Sequence, residues 1–384
     1  MGVADAALQG FVDDYGPDRV RGWAWDARSP DHPVVVEVRA RDRSLGAARA
    51  DVFRPDLVIP GTRSGRQGFE VRFREPIPAD WVPDVVVRIR GTDVRLGFSR
   101  RYVPGSEAPQ FVPPGHFYSP IPSLGDVRAD EARIFAVPAG DLPGIDLRED
   151  AQLALMSEFK RYYDEQPFPA HPTPERRYYF ENGAYSYSDA IVLYCMIRHA
   201  RPRRIIEVGS GHSSCVTLDT NDLFFDGRIV CTLIEPYPEL LQSLLRPEDA
   251  ERVELLLQRV QDVPLARFRA LEAGDILFVD STHVSKAGSD VNYIVFEILP
   301  VLAPGVFVHF HDVFHPFEYP KEWIFAGRTW TEAYLLRAFL QFNRSFEVVF
   351  FNTFLEHFHE ARFAAEMPLC LKNPGGSLWI RRIA

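Results

Sequence analysis

Arg203-Arg204-Ile205-Ile206-Glu207-Val208-Gly209-Ser210-Gly211-His212-Ser213-Ser214 decides how the rest of this 384-residue chain is read. The apolar run Ile205 to Val208 predicts a buried parallel strand. The Gly-x-Gly after it predicts a tight turn, and His212-Ser213-Ser214 the opening of a helix. Gly209 and Gly211 permit positive φ and let the backbone approach a ligand lying over the strand's carboxyl end. On an open α/β sheet that end is where ligands sit. A bare tight turn is the competing reading while the two glycines stand alone.

Ser214 occupies the place where the dinucleotide fingerprint has its third glycine, so a pyrophosphate is disfavoured. Two glycines preceded by an acid, Glu207, suit a ligand with an ammonium group and no phosphate, which describes S-adenosylmethionine. The next strand supports this. Arg228-Ile229-Val230-Cys231-Thr232-Leu233-Ile234 is apolar and β-branched and ends at Glu235-Pro236, 24 residues after Gly211. An acid at the tip of the second strand is the usual partner for ribose hydroxyls. Together the two features predict a nucleoside-type cofactor.

The whole chain sets the frame. Its length makes two domains the natural expectation. A net charge of −10 argues against nucleic acid as the main partner, since phosphate binding wants a basic face. Cys195, Cys215, Cys231 and Cys370 show no C-x-x-C spacing and lie in apolar runs, as buried thiols of a reducing compartment do. No signal peptide and no 18-residue apolar stretch is present, so a cytoplasmic protein without a membrane span is expected. A homo-oligomer is allowed, but no residue argues for one.

Residues 1–104 carry strand and turn signals: Gly22-Trp23-Ala24-Trp25-Asp26, Val34 to Val38, Gly68 to Phe73 and Val85 to Arg90, punctuated by Gly, Pro, Asp and Ser. They predict a small antiparallel β-sandwich. Gly22-Trp23-Ala24, Leu45-Gly46, Ala50-Asp51, Arg54-Pro55-Asp56-Leu57 and Gly65 to Phe69 resemble a β module fused to bacterial glycosyltransferases and sugar-modifying enzymes. Carbohydrate docking, a spacer and an oligomerisation role all stay open for it. Residues 105–177 are proline-rich (Val112-Pro113-Pro114, Ser119-Pro120-Ile121-Pro122, Val137-Pro138, Leu142-Pro143) and too long for a plain linker. They are expected to wrap the next domain and wall its pocket, with a helix from Asp150 to about Asp164. His116, Tyr118 and Ser119 are candidates to face that pocket, against ordinary packing.

From residue 178 to 384, helices alternate with strands. The expected order is a helix from Ser188 to His199, the glycine strand, the Glu235 strand, a helix from Pro238 to Leu245, and strands at Val253–Leu257, Asp275–Asp280 and Val306–His311. Phe346–Asn352 and Ser377–Ile383 close the set. This alternation predicts right-handed crossovers and a mostly parallel sheet covered on both faces.

Chemistry is expected at the strand tips. Asp280 ends one strand and Ser281-Thr282-His283 follow it; His309-Phe310-His311-Asp312 ends the next. Asp280, His283, His311 and Asp312 therefore converge beside the glycine turn, enough for an octahedral Mg²⁺ or Mn²⁺ site completed by water and substrate. Caps and loop hydrogen bonds are the plainer roles for any one of them. Tyr185, Tyr187 and Asp189 are weighed equally between the cleft and the core. Trp330, Tyr334, Phe339 and Phe342 read as helix core.

Glu207-x-Gly209-x-Gly211, Glu235, Gln261-Asp262-Val263, Asp280 to His283 and His311-Asp312, closed by two terminal strands, resemble the class I S-adenosylmethionine-dependent methyltransferases over residues 178–384. The acid after strand four and the polar pair after strand five are similar to the metal-dependent O-methyltransferases of catechols and macrolide sugars. The resemblance implies a Rossmann-like seven-stranded domain, with Gly209 and Gly211 beside the methionine moiety, Glu235 on the ribose and Gln261-Asp262 near adenine. It implies Asp280, His311 and Asp312 at the metal positions. Two departures stand out. The strand-five pair is usually Asp-Asp or Asp-Asn, and an imidazole there favours softer ions. His283 stands where the catechol enzymes place a lysine base, and histidine is itself a common general base. The expected activity is methyl transfer to a hydroxyl, with His283 as base oriented by Asp280. The expected acceptor is a saccharide or polysaccharide, the alternative a small secondary metabolite. An NAD(P)-dependent oxidoreductase and a non-catalytic glycan-binding protein are the competing classes.

Overall fold

The computed structural model describes residues 8–29, 32–59, 63–98, 112, 114–136 and 140–384. Most of the expected linker start, Pro104 to Phe111, lies outside them, as do Pro113 and Val137-Pro138 and the side chains of Pro55-Asp56-Leu57. Two compact units divide the chain, Met1–Pro113 and Pro114–Ala384.

The first unit is built from β1 (Leu8–Tyr15), β2 (Arg19–Asp26), β3 (Val35–Ala40), β4 (Arg43–Arg49), β5 (Val52–Ile59), β6 (Arg63–Arg72), β7 (Val85–Ile89) and β8 (Gly97–Phe98). One sheet runs β5-β6-β2-β1-β8 and the other β4-β3-β7. All pairings are antiparallel except β1 with β8. Period-two burial explains the layering: Val36, Val38 and Ala40 are fully buried on β3 while Val35, Glu37 and Arg39 between them are not. Val12, Val20, Phe69 and Val71 of the larger sheet share one hydrophobic core with Val36, Val38, Val85 and Val87 of the smaller. The expected antiparallel β architecture is present.

In the second unit β9 (Arg204–Val208), β10 (Val230–Ile234), β11 (Val253–Leu256), β12 (Ile276–Val279), β13 (Phe307–Phe310), β14 (Phe346–Phe351) and β15 (Leu378–Arg382) form one sheet, ordered β11-β10-β9-β12-β13-β15-β14. Only β15 runs antiparallel to its neighbours. β12 is buried at every residue and β9 at all but Arg204, as parallel strands covered on both faces must be. The glycine strand β9 lies at the centre, flanked by β10 and β12.

Helix α1 (Glu149–Tyr163) lies in the proline-rich segment; α2 (Tyr187–Ala200) precedes β9, α3 (His212–Phe225) follows it, and α4 (Glu332–Leu340) follows β13. Met156 and Phe159 of α1, with Phe168, belong to the core of the second unit, so residues 114–177 pack as part of it. The Gln152 side chain pins α1 to the sheet by accepting from the Phe351 amide at 2.7 Å. Ile134, Phe135 and Ala136 line a cavity of about 540 Å³ together with Phe314, His315 and Tyr319, whereas His116, Tyr118 and Ser119 do not line it. Arg177 is buried and binds Asp219 at 2.8 Å and Asp222 at 2.9 Å on α3, and also Asp249. The four cysteines are buried and unpaired. Among the described residues, no helix is long and apolar enough to cross a membrane.

Candidate active site

Strand order reverses between β9 and β12, and a crevice opens at such a point beyond the carboxyl ends of the strands. A cavity of about 380 Å³ there is lined by Gly209, Glu235, Tyr237, Gln261 and Asp280, among others. Gly209 has φ +78°, and a Cβ built on it would lie 1.7 Å from the Asp280 carbonyl oxygen. Its lack of a side chain is thus demanded first by the close approach of the β12 tip. Gly211 differs from expectation: its φ of −174° is ordinary extended backbone, and it does not line the cavity. The Gly211 amide donates to Ser214 Oγ at 3.2 Å, so the hydroxyl at the missing third glycine closes the turn.

Glu207 also differs. It is fully buried beneath the turn, accepts from Ser213 Oγ at 2.5 Å, and does not reach the cavity. Burial pushes its pKa up to about 8 against the pull of the Ser213 and Ser214 hydroxyls. Glu235 does stand in the cavity. Its Oε2 accepts from the Ser210 amide at 3.1 Å and its Oε1 from the Tyr237 amide at 2.7 Å. Burial raises its pKa, and those two amides pull it back. Gln261 lines the cavity and donates to the Gly288 carbonyl at 3.0 Å. Asp262 does not line it: the 3₁₀ turn Val260–Asp262 turns that side chain toward solvent, where it pairs with Arg259 at 2.9 Å.

Asp280 and His311-Asp312 meet because β12 pairs in register with β13, Val279 opposite Phe310. Asp280, His311 and Asp312 offer atoms that all lie within 4.8 Å of one another. His311 Nδ1 is 3.4 Å from Asp280 Oδ1 and 3.7 Å from Asp312 Oδ2. His283 Nε2 is 3.3 Å and 3.6 Å from the same two oxygens. His283 (φ +59°) and Asp312 (φ +57°) hold left-handed backbone, which costs a non-glycine residue about 1–2 kcal/mol. What holds His283 there is visible: its carbonyl accepts from the Thr331 and Glu332 amides at 2.9 and 3.1 Å. Its Nδ1 bonds Glu332 Oε2 at 2.9 Å, and Trp330 lies against its ring at 4.3 Å.

Charge in this cluster is strongly coupled. Burial opposes protonation of both imidazoles, but the carboxylates win. Asp280 and Glu332 push His283 up to about 10, and Asp280 and Asp312 hold His311 well above its usual range. Burial would raise Asp280, yet His311 and His283 hold it far below the carboxylate range. For Asp312 burial dominates and the pKa is raised. The carboxylates around His283 thus favour its charged form. His309, one turn of the pleat earlier, is buried, stacks on Phe278 at 4.0 Å and bonds Ser377 Oγ at 2.9 Å, a core role.

A family model described as a methyltransferase domain matches residues 206–313. A protein of Archaeoglobus fulgidus with no assigned function is 40% identical over 173 residues, covering 43% of this chain and 76% of that protein. The matched segment is a methyltransferase domain. Among solved structures, a CmcI apo-structure is 15% identical, covers 58% of this chain and 84% of that one, and has a TM-score of 0.35. An O-methyltransferase family protein from Burkholderia thailandensis is 11% identical, covers 68% and 69%, and has a TM-score of 0.29. With TM-scores this low, neither bears on what this chain does.

Two residues that position this polar cluster escaped sequence reading. Glu332 opens α4 and reaches back across 49 residues to His283. Asp189, weighed only as a cleft or core residue, stands 3.5 Å from His311 Nε2 and is itself fixed by the Gly376 amide at 3.0 Å and the Ser377 hydroxyl. The local signal for each was an acid in the first turn of a helix, which ordinarily means only a favourable helix start. Trp330, assigned to helix core, instead covers the His283 ring.

Proposed function

We propose that the protein transfers the methyl group of S-adenosylmethionine to a hydroxyl oxygen, and that the acceptor is a saccharide. The cofactor reading is carried by one arrangement: Gly209, Glu235 and Gln261 line a single cavity that extends to Asp280. Glu235, fixed by two backbone amides, offers its remaining lone pairs to vicinal ribose hydroxyls. Tyr237, whose ring is exposed, and Val260 line the same cavity and would flank the adenine. Bound S-adenosylmethionine would supply an electrophilic sulfonium methyl, which leaves the protein mainly the task of positioning the acceptor.

Asp280, His311 and Asp312 fit a divalent cation, Mg²⁺ or Mn²⁺ in the simplest case. The chemistry such an ion would supply is to orient a hydroxyl and lower its pKa. Support comes from His311 Nδ1, a buried nitrogen with no hydrogen-bond partner. Without an ion, Asp312 is the better acceptor for the hydroxyl proton, because burial raises its pKa while that of Asp280 is held low. The saccharide assignment draws on the likeness of the N-terminal module to those of bacterial glycan-modifying enzymes. Calorimetry with S-adenosylhomocysteine tests the reading. The wild type binds, and Glu235→Gln weakens binding about 10–100-fold, the cost of hydrogen bonds to a charged group. Failure of the wild type to bind S-adenosylhomocysteine refutes the cofactor, and with it the methyl transfer.

A further inference from the structure

We infer that His283 is a metal ligand rather than a base. With Asp280, His311 and Asp312 it completes a centre of two imidazoles and two carboxylates for a nitrogen-accepting divalent ion of the Mn²⁺, Fe²⁺, Co²⁺ or Zn²⁺ class. The inference rests on the preceding reading only for the centre's place beside the acceptor.

Four distances carry it. His283 Nε2 and His311 Nδ1 each face Asp280 Oδ1 and Asp312 Oδ2, closing a ring of alternating nitrogen and oxygen with sides of 3.3, 3.4, 3.7 and 3.6 Å. Charge-assisted hydrogen bonds between imidazolium and carboxylate close to about 2.7–2.9 Å. Neighbouring donors on one ion, at bonds of about 2.0–2.2 Å, stand roughly 3.0–3.5 Å apart. Each side of the ring lies nearer to that donor spacing than to a hydrogen bond, Asp280, His311 and Asp312 offer atoms within 4.8 Å of one another, and His311 Nδ1 is buried without a hydrogen-bond partner.

The outer contacts agree. Metal-bound histidines hand their second ring N–H to a carboxylate or carbonyl, which fixes the tautomer and aims the free nitrogen. His283 Nδ1 bonds Glu332 Oε2 at 2.9 Å, and His311 Nε2 faces Asp189 Oδ2 at 3.5 Å. Each imidazole thus turns one nitrogen to an outer carboxylate and the other to the shared space. The left-handed backbone of His283, held by the Thr331 and Glu332 amides and by Trp330, aims Nε2 at the carboxylates instead of at the cavity. A base needs a nitrogen open to substrate; this side chain is 7% exposed with both nitrogens engaged. Magnesium prefers oxygen donors throughout, so two imidazoles select against it.

The test uses full-length protein stripped with chelator. Co²⁺ binding is followed by visible absorption, Mn²⁺ and Mg²⁺ binding by calorimetry, and folding by thermal melting and S-adenosylhomocysteine affinity. Expected are one Co²⁺ per chain and Mg²⁺ bound at least about 100-fold more weakly than Mn²⁺. His283→Ala should weaken Co²⁺ about 100-fold or more and change its spectrum, and Glu332→Gln about 10–100-fold. S-Adenosylhomocysteine affinity should stay within about threefold in Glu332→Gln, which serves if the alanine variant does not fold. Wild type that binds no ion, Mg²⁺ bound more tightly than Mn²⁺, or His283→Ala that keeps the wild-type affinity and spectrum would each overturn the inference. Wild type that binds Co²⁺ but not S-adenosylhomocysteine sinks the cofactor reading alone.

Discussion

Replacing Glu207 by glutamine removes a titrating group from the floor of the glycine turn while keeping its shape and its hydrogen bond from Ser213. The carboxyl is fully buried and its pKa is pushed up to about 8 from an ordinary 4.5. The folded chain therefore keeps a proton that the unfolded chain releases above pH 4.5. The resulting stability is present in full below that pH and is lost as the pH rises toward 8, where the folded state also ionises. Linkage at about 1.4 kcal/mol per pH unit puts the loss from this group at about 2.5 kcal/mol between pH 5 and pH 7. Glu356, buried and also raised to about 8, slopes the same way, so the wild-type curve alone cannot isolate Glu207. The difference between wild type and Glu207→Gln can. Urea unfolding at pH 5, 6, 7 and 8 should give a variant near wild-type stability at pH 5 and more stable than wild type by up to about 2.5 kcal/mol at pH 7. Parallel curves across that range would mean that Glu207 is ionised in the folded protein and that the account of the turn's floor is wrong.

The two glycines of the turn should behave oppositely. At Gly209 an added Cβ meets the Asp280 carbonyl oxygen at 1.7 Å, so Gly209→Ala should cost about 4 kcal/mol or more and give little soluble protein. At Gly211 the nearest atom would be Leu240 Cδ2 at 3.5 Å, and Gly211→Ala should stay within about 1 kcal/mol of wild type in thermal melting. Equal losses at both positions would contradict the close approach of β12 to β9. Arg177→Met leaves Asp219 and Asp249, both almost fully buried, without their cation. A loss of about 3–5 kcal/mol in urea unfolding is expected, and one below about 1 kcal/mol would show the cluster to be solvated.

Much of the domain was legible because its signals are local. Ile205 to Val208, Arg228 to Ile234 and Asp275 to Asp280 are largely apolar runs bounded by turn residues, and each became a strand within two residues of its expected ends. Glu235 was legible for the same reason: an acid one residue past a parallel strand is delivered to the crevice by topology alone. Asp262 was not, because in a 3₁₀ turn the side chains of adjacent residues point in different directions, and only the fold decides which one faces in.

The amino-acid order by itself determined the sheet, the crevice at the reversal of strand order, and the presence of Asp280, His283, His311 and Asp312 along one edge. These follow from hydrophobic periodicity and from where parallel strands end. Only the tertiary structure decided what the four side chains are to one another. Glu332 and Asp189 reach them from distant helices, and Trp330 closes over His283. The charge on an imidazole depends on every carboxylate packed around it, and those of Glu332 and Asp189 come from 49 and 122 residues away.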